Sequence, residues 1–107
     1  MGLFKKTYGK NVTRDNEFMK EYAIKVNGLL LYTEDNEKVT KELKVMQNDL
    51  QYTVASSESS AKGVERKIKK EFSALVDTLE KPAWDEAVVL AHIKNIRRYT
   101  IEIGAMR

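Results

Sequence analysis

The stretch from Val39 to Leu79, VTKELKVMQNDLQYTVASSESSAKGVERKIKKEFSALVDTL, decides the fold class of this 107-residue chain. Its apolar residues recur every three or four positions, which is the period of an α-helix that buries one side. Two apolar series result, and they comprise Val39, Leu43, Met46, Leu50 and Val54, then Ala61, Val64, Ile68, Phe72, Leu75 and Leu79. The sequence therefore predicts a helical bundle.

The serine-rich segment over residues 56–60 lies between the two series and admits two interpretations. Serine favours caps and turns over helix interiors, because its hydroxyl competes for nearby backbone groups, and this predicts a break between two helices. The two series nevertheless keep one helical phase across the segment, which contains no proline. The alternative is a long helix over residues 36–81 with two shorter helices in an oligomeric bundle.

The remaining chain completes the prediction of an all-α fold, an antiparallel four-helix bundle with no internal repeat. The predicted helices cover about residues 14–32, 36–56, 60–81 and 83–103. Short connections between them predict that consecutive helices run in opposite directions. Asp35 and Asn36 are good N-cap residues for the second helix. Pro82 is expected to end the third helix and to stand in the first turn of the fourth.

The first and fourth predicted helices carry the remaining apolar residues of the core. In the first helix the buried stripe is expected to comprise Phe18, Met19, Tyr22, Ala23, Ile24, Val26, Leu29 and Leu30. In the fourth helix it is expected to comprise Trp84, Ala87, Val88, Leu90, Ala91, Ile93, Ile96, Tyr99 and Ile103. The breadth of this last stripe predicts that the fourth helix is the most buried, with Trp84 closing one end of the core.

The composition is that of a folded protein without disulfides. Hydrophobic residues make up 42% of the chain and charged residues 33%, which excludes a disordered protein of low hydrophobicity. The absence of cysteine excludes disulfides, thiolate zinc sites and cysteine nucleophiles. No apolar run approaches the roughly 20 residues of a membrane span, and no export signal is visible. We therefore predict a cytoplasmic location.

Positive charge is concentrated at two places, although the net charge is only +3. Residues 1–12 are predicted to form a flexible basic arm ahead of a single bundle domain over residues 13–107. The candidate contacts for a polyanion or a protein partner are Lys5, Lys6, Lys10 and Arg14 near the arm, and Lys62, Arg66, Lys69 and Lys70 on one side of the third helix. Charges in such positions are also typical of a solvated helix surface. A smaller basic patch on the fourth helix, formed by Lys94, Arg97 and Arg98, admits the same two interpretations.

The sequence shows no catalytic constellation. His92 is the only histidine, and no Glu-x-x-His spacing accompanies it, so we expect a partly buried structural residue. The acidic cluster at Glu34, Asp35 and Glu37 is explained by helix capping. No glycine-rich phosphate-binding loop is present. We therefore assign no catalytic, cofactor-binding or metal-binding residue.

Two functions remain. The first is a non-enzymatic helical interaction or structural protein, which binds a protein partner or copies of itself. The alternative is a nucleic-acid-associated protein that uses the basic arm and the basic side of the third helix.

Overall fold

The computed structural model of the chain describes residues 10–53 and 59–106, which form four α-helices. They are α1 (Lys10–Leu30), α2 (Glu37–Tyr52), α3 (Ser59–Leu79) and α4 (Glu86–Ala105). The prediction of an all-α fold with four helices is confirmed. Residues 1–9 of the predicted arm lie outside the described residues, whereas residues 10–12 belong to α1.

The ends of α2 are set by side chains that bond to the backbone. Asn36 is the N-cap, and its side chain accepts a hydrogen bond of 3.0 Å from the Val39 N–H. At the other end Thr53 has extended geometry, and its hydroxyl donates a bond of 2.6 Å to the Asp49 carbonyl. The helix therefore ends at Tyr52, and the alternative of one helix over residues 36–81 is wrong.

The fourth helix begins later than predicted, at Glu86 instead of residue 83. The Asp85 side chain accepts a hydrogen bond of 2.8 Å from the Ala87 N–H, so Asp85 is the N-cap. Pro82 consequently lies in the connection between α3 and α4 and not in the first turn of α4. The start of α4 is thus set by the Asp85 carboxylate, three residues after Pro82, and not by the proline.

Consecutive helices form two hairpins. Between α1 and α2, the Gln47 side-chain amide donates to the Ala23 carbonyl at 2.8 Å and to the Asn27 side chain at 2.9 Å. Between α3 and α4, the side chains of Glu71 and His92 meet at 2.6 Å. In each pair the residues that meet lie at similar distances from the connecting turn, which agrees with the predicted opposite directions of the two helices.

The two hairpins join through α2 and α4, and this pair runs in the same direction. The Asn36 side-chain amide donates to Glu86 at 2.8 Å near the start of both helices. The Arg97 Nε donates to Asp49 at 2.8 Å towards their ends. The principal helix contacts are α1 with α2, α2 with α4, and α3 with α4. Parallel α2 and α4 agree with consecutive helices that alternate in direction, although α2 packs on α4 and not on α3.

One continuous core lies between the helices, and the apolar series that decided the fold supplies much of it. All described members of both series are buried: Val39, Leu43, Met46, Leu50, Ala61, Val64, Ile68, Phe72, Leu75 and Leu79. Trp84 is half-buried and packs against this core, as predicted. None of the helices within the described residues is long and apolar enough to cross a membrane.

The outer helices differ from the predicted stripes. Ile24 is 67% exposed, because its side chain lies on the side of α1 that faces away from the core. In α4, Ala87, Val88 and Ala91 are exposed, whereas Val89 is buried. The buried residues of α4 are spaced as in α2, with Val89 at the level of Val39, since the two helices begin side by side. The described part of α3 contains seven buried residues and α4 contains five, so the prediction that α4 is the most buried helix is wrong.

Replacing Ile68 with alanine tests the core. Ile68 is fully buried in the middle of α3, so Ile68→Ala should lower the free energy of unfolding by about 2–5 kcal/mol through lost transfer energy and the cavity left behind. Chemical denaturation measures this change. The exposed Lys70, two residues away, supplies the control variant Lys70→Ala, which should leave the midpoint almost unchanged. Equal midpoints for both variants would contradict this placement of α3.

Candidate functional site

The helices α1 and α3 also contact each other, and aromatic side chains make this contact. The rings of Tyr22 and Phe72 pack edge to face with centroids 4.9 Å apart. Phe18 adds a second ring contact to Tyr22, at 4.9 Å. Burial raises the pKa of Tyr22, and the nearby Glu21 carboxylate acts in the same direction, so the phenol stays neutral at physiological pH. The Tyr22–Phe72 contact joins α1 to α3, and a groove lies beside these rings.

This groove between α1 and α3 has a volume of about 880 Å³ and a largely apolar lining. The residues that line it are Tyr22, Lys25, Gly28, Leu29, Leu31 and Tyr32 from α1 and the turn after it, and Lys69, Phe72, Ser73 and Val76 from α3. The buried Leu29 and Phe72 belong to the core, so the groove opens directly onto it. A ligand in the groove would therefore contact core side chains.

Two large apolar residues stand exposed at one end of the groove. Leu31 is 71% exposed and Tyr32 is 45% exposed. Their backbone N–H groups donate to the Gly28 and Leu29 carbonyls at 3.3 and 3.0 Å, which fixes the turn that carries them. Gly28 has no atom within 4 Å of the place where a Cβ would stand. No side chain therefore covers α1 at Gly28, and the Gly28 backbone is accessible from the groove.

Among the described residues, the charged side chains that line the groove are two lysines, one on each helix. The Lys25 Nζ lies 5.5 Å from the centre of the Tyr22 ring and 3.9 Å from a Glu21 carboxylate oxygen. This ion pair is exposed and therefore weak. Lys69 has no ion-pair partner among the described residues. The groove thus combines an apolar floor with positive charge at its edges.

The basic residues predicted on the third helix are all exposed: Lys62, Arg66, Lys69 and Lys70. Of these, Lys69 lines the groove, whereas Arg66 and Lys70 lie further round α3. Lys10 and Arg14 lie in the first two turns of α1, and Lys5 and Lys6 lie outside the described residues. Exposure of the α3 residues is confirmed, while their contact with a polyanion or a partner stays a prediction.

The smaller basic patch predicted on α4 is not intact. Arg97 donates to Asp49 at 2.8 Å and lies 3.7 Å from Glu42, so its charge is paired with two carboxylates of α2. Lys94 and Arg98 remain exposed. The sequence alone does not distinguish Arg97 from Lys94 and Arg98, since the distinction depends on α2 being the adjacent helix.

His92 is half-buried between α3 and α4, as predicted for a structural histidine. Its Nδ1 lies 2.6 Å from Glu71 Oε2, which also accepts a hydrogen bond of 3.1 Å from the Asn95 amide. Desolvation by burial acts to raise the pKa of Glu71. The hydrogen bonds from His92 and Asn95 and the His92 charge outweigh it, so the Glu71 pKa lies below its ordinary value. This cluster joins α3 to α4.

Other classes of site have no support in the described residues. No group of three histidine, cysteine, aspartate or glutamate side chains within the described ranges is placed to hold a metal ion. Glu34, Asp35 and Glu37 are exposed around the start of α2, where Asn36 is the cap. Comparisons of the chain with protein-family models, curated proteins and solved structures find no match. The groove is therefore the strongest candidate for a functional site.

The Glu71 cluster predicts a pH dependence of stability. Folding favours the deprotonated carboxylate, so its contribution is fully present above the ordinary carboxyl value of 4.5 and is lost as the pH falls through the lower folded-state pKa. Glu71→Gln should lower the free energy of unfolding by about 1 kcal/mol at pH 7. The deficit of the variant should be smaller at pH 3 than at pH 7, because the contribution has begun to be lost below the ordinary carboxyl value.

Chemical denaturation at the two pH values measures this effect. Glu102→Gln, which changes an exposed carboxylate on α4, is the matched control and should leave stability unchanged at pH 7. A Glu71→Gln deficit that is equally large at pH 3 would show that the charge of Glu71 is not the cause.

Proposed function

We propose that this chain is a non-enzymatic helical module that binds a partner protein in the groove between α1 and α3. The observation that carries the proposal is the exposure of Leu31 and Tyr32 beside a groove that opens onto the core. Covering such apolar surface is favourable, and contiguous exposed apolar surface marks interaction sites. Tyrosine is also among the residues enriched at protein interfaces.

The openness of the groove favours a protein over a small molecule. Small-molecule pockets bury most of the ligand surface, typically about 70–90%. A groove with Leu31 and Tyr32 exposed at its end encloses less of a ligand's surface. The non-enzymatic part of the proposal is supported by His92, whose Nδ1 is engaged by Glu71. A cytoplasmic location belongs to the same proposal and is supported by the absence of cysteine from the sequence.

A photoreactive amino acid at position 32 tests this function. Because Tyr32 stands at the groove, activation in cells should join the chain covalently to a second polypeptide. The control position is Ile101, which is 62% exposed on α4 and does not line the groove. Adducts from position 32 alone support the proposal. Adducts at equal yield from both positions, or from neither, would contradict it.

Self-association is the form of this function in which the partner is a second copy. Measuring the molecular mass at several protein concentrations distinguishes self-association from binding of a different protein. A mass that doubles with concentration, together with an adduct of twice the chain mass from position 32, would identify the partner as the chain itself.

Nucleic-acid association is the second candidate, and it is favoured by the exposed basic residues of α3. Arg66 and Lys70 have no ion-pair partner among the described residues. If they contact phosphates, the protein should shift labelled nucleic acid with an affinity that falls as salt rises, because counterions are released. Arg66→Glu with Lys70→Glu should abolish the shift. An unchanged shift in this variant, or none in the original protein, would exclude this use of α3.

A further inference from the structure

The geometry points to one class of partner for the groove: an amphipathic helix of another protein, with an apolar face and carboxylates along its edges. This inference rests on the proposed function and deepens it by naming the partner's chemistry. A helix laid in an apolar groove is a recurrent mode of recognition, in which apolar residues at i, i+3 or i+4, and i+7 serve as anchors.

The apolar floor supplies the anchor sites. Leu29 on α1 and Val76 on α3 lie on the two sides of the groove. Phe72 packs beside Tyr22, and both also line the groove. The α3 residues of the lining run from Lys69 to Val76, which spans about 10 Å at 1.5 Å per residue. Two to three turns of a partner helix cover this length, and that is the span of the i to i+7 anchors.

The charge at the edges of the groove determines which charge the partner helix should carry beside its apolar face. Lys25 projects from α1, where its exposed ion pair with Glu21 is weak, and Lys69 projects from α3; no carboxylate of the described residues lines the groove. A helix between them would meet an ammonium group on each side of its apolar face. Acidic residues flanking that face would find opposite charges, whereas basic residues would be repelled.

The same charge argues against the basic segment at the start of the chain as the occupant. Residues 1–14 carry four basic residues and no carboxylate, so this segment does not complement the two lysines. The exposed apolar residues Ile24, Tyr52, Val88 and Ile101 do not line the groove, and docking of a second copy through one of them is an outcome of the test below.

Synthetic peptides test the inference directly. Three labelled peptides of 15 residues share one apolar composition. The first is amphipathic with leucine anchors and glutamate flanks, the second has lysine flanks, and the third is a scrambled version of the first. Fluorescence anisotropy at low ionic strength measures their binding. We expect the first peptide to bind about tenfold more tightly than the second, because two exposed ion pairs replace two repulsions.

Charge-reversal variants assign the preference to the groove. Lys25→Glu with Lys69→Glu should invert the preference between the first two peptides. The control, Lys44→Glu with Lys94→Glu, makes the same change in net charge at exposed positions that do not line the groove. It should retain the preference. Circular dichroism melting confirms that both variants are folded.

Each remaining outcome overturns the inference in a recognisable way. Equal binding of the scrambled peptide, or equal effects of both variants, would show general electrostatic attraction and not a groove. If no peptide binds but position 32 still forms adducts, the acidic helix is wrong and the proposed function stands. If both measurements fail, the proposed function fails as well. A concentration-dependent dimer that blocks the groove would identify a second copy as the occupant.

Discussion

The contact between α2 and α4 determines the arrangement of the rest of the molecule. Arg97 extends from α4 to Asp49 and Glu42 on α2, and Asn36 bonds to Glu86 where both helices begin. These contacts place the two hairpins side by side with α2 and α4 in the same direction. The partner helices, α1 and α3, must then face each other on the opposite side. The groove is therefore a consequence of how the hairpins join.

The core and the polar contacts contribute differently to this arrangement. Burial of apolar side chains supplies most of the stability, since each fully buried aliphatic residue contributes about 1.5–3 kcal/mol. The Arg97 side chain is 35% exposed, so its ion pairs add little in comparison. Their effect is on register, because a side chain that reaches two carboxylates on α2 favours one alignment of the two helices over others. The same holds for the hydrogen bond between the Thr33 and Thr40 hydroxyls, 2.9 Å long, which fixes the turn between α1 and α2.

The sequence predicted what is local and missed what depends on neighbouring helices. The period from Val39 to Leu79 correctly identified the buried residues of α2 and α3, and Asn36 was correctly identified as a cap candidate. Helical period alone cannot say which helix lies beside which. The packing of α4 on α2, the pairing of Arg97 and the contact of His92 with Glu71 all depend on that choice. Ile24 was misplaced because an apolar residue on the edge of a stripe can lie on either side of the core boundary.

The candidate site was missed for the same reason. Lys69 was identified as a possible partner contact, but its opposite neighbour in the groove, Lys25, lies on a different helix and was not. The sequence did hold one signal, since Leu31 and Tyr32 extend an apolar run beyond the end of α1. A large apolar residue after a helix end is exposed unless another element covers it. The structure shows both residues exposed at the groove.

Disulfide formation between engineered cysteines measures the direction of α2 and α4 most directly. The chain has no cysteine of its own, so Thr53→Cys with Gly104→Cys gives an unambiguous pair. A Cβ at position 104 would lie 3.3 Å from Thr53 Cγ2, the γ position that a cysteine sulfur could occupy, so the two side chains are close enough to be bridged. We predict rapid oxidation of this pair and none for Thr53→Cys with Glu86→Cys, whose positions lie at opposite ends of the bundle. Preferential oxidation of the second pair would mean that α2 and α4 run in opposite directions, and the groove between α1 and α3 would not exist in this form.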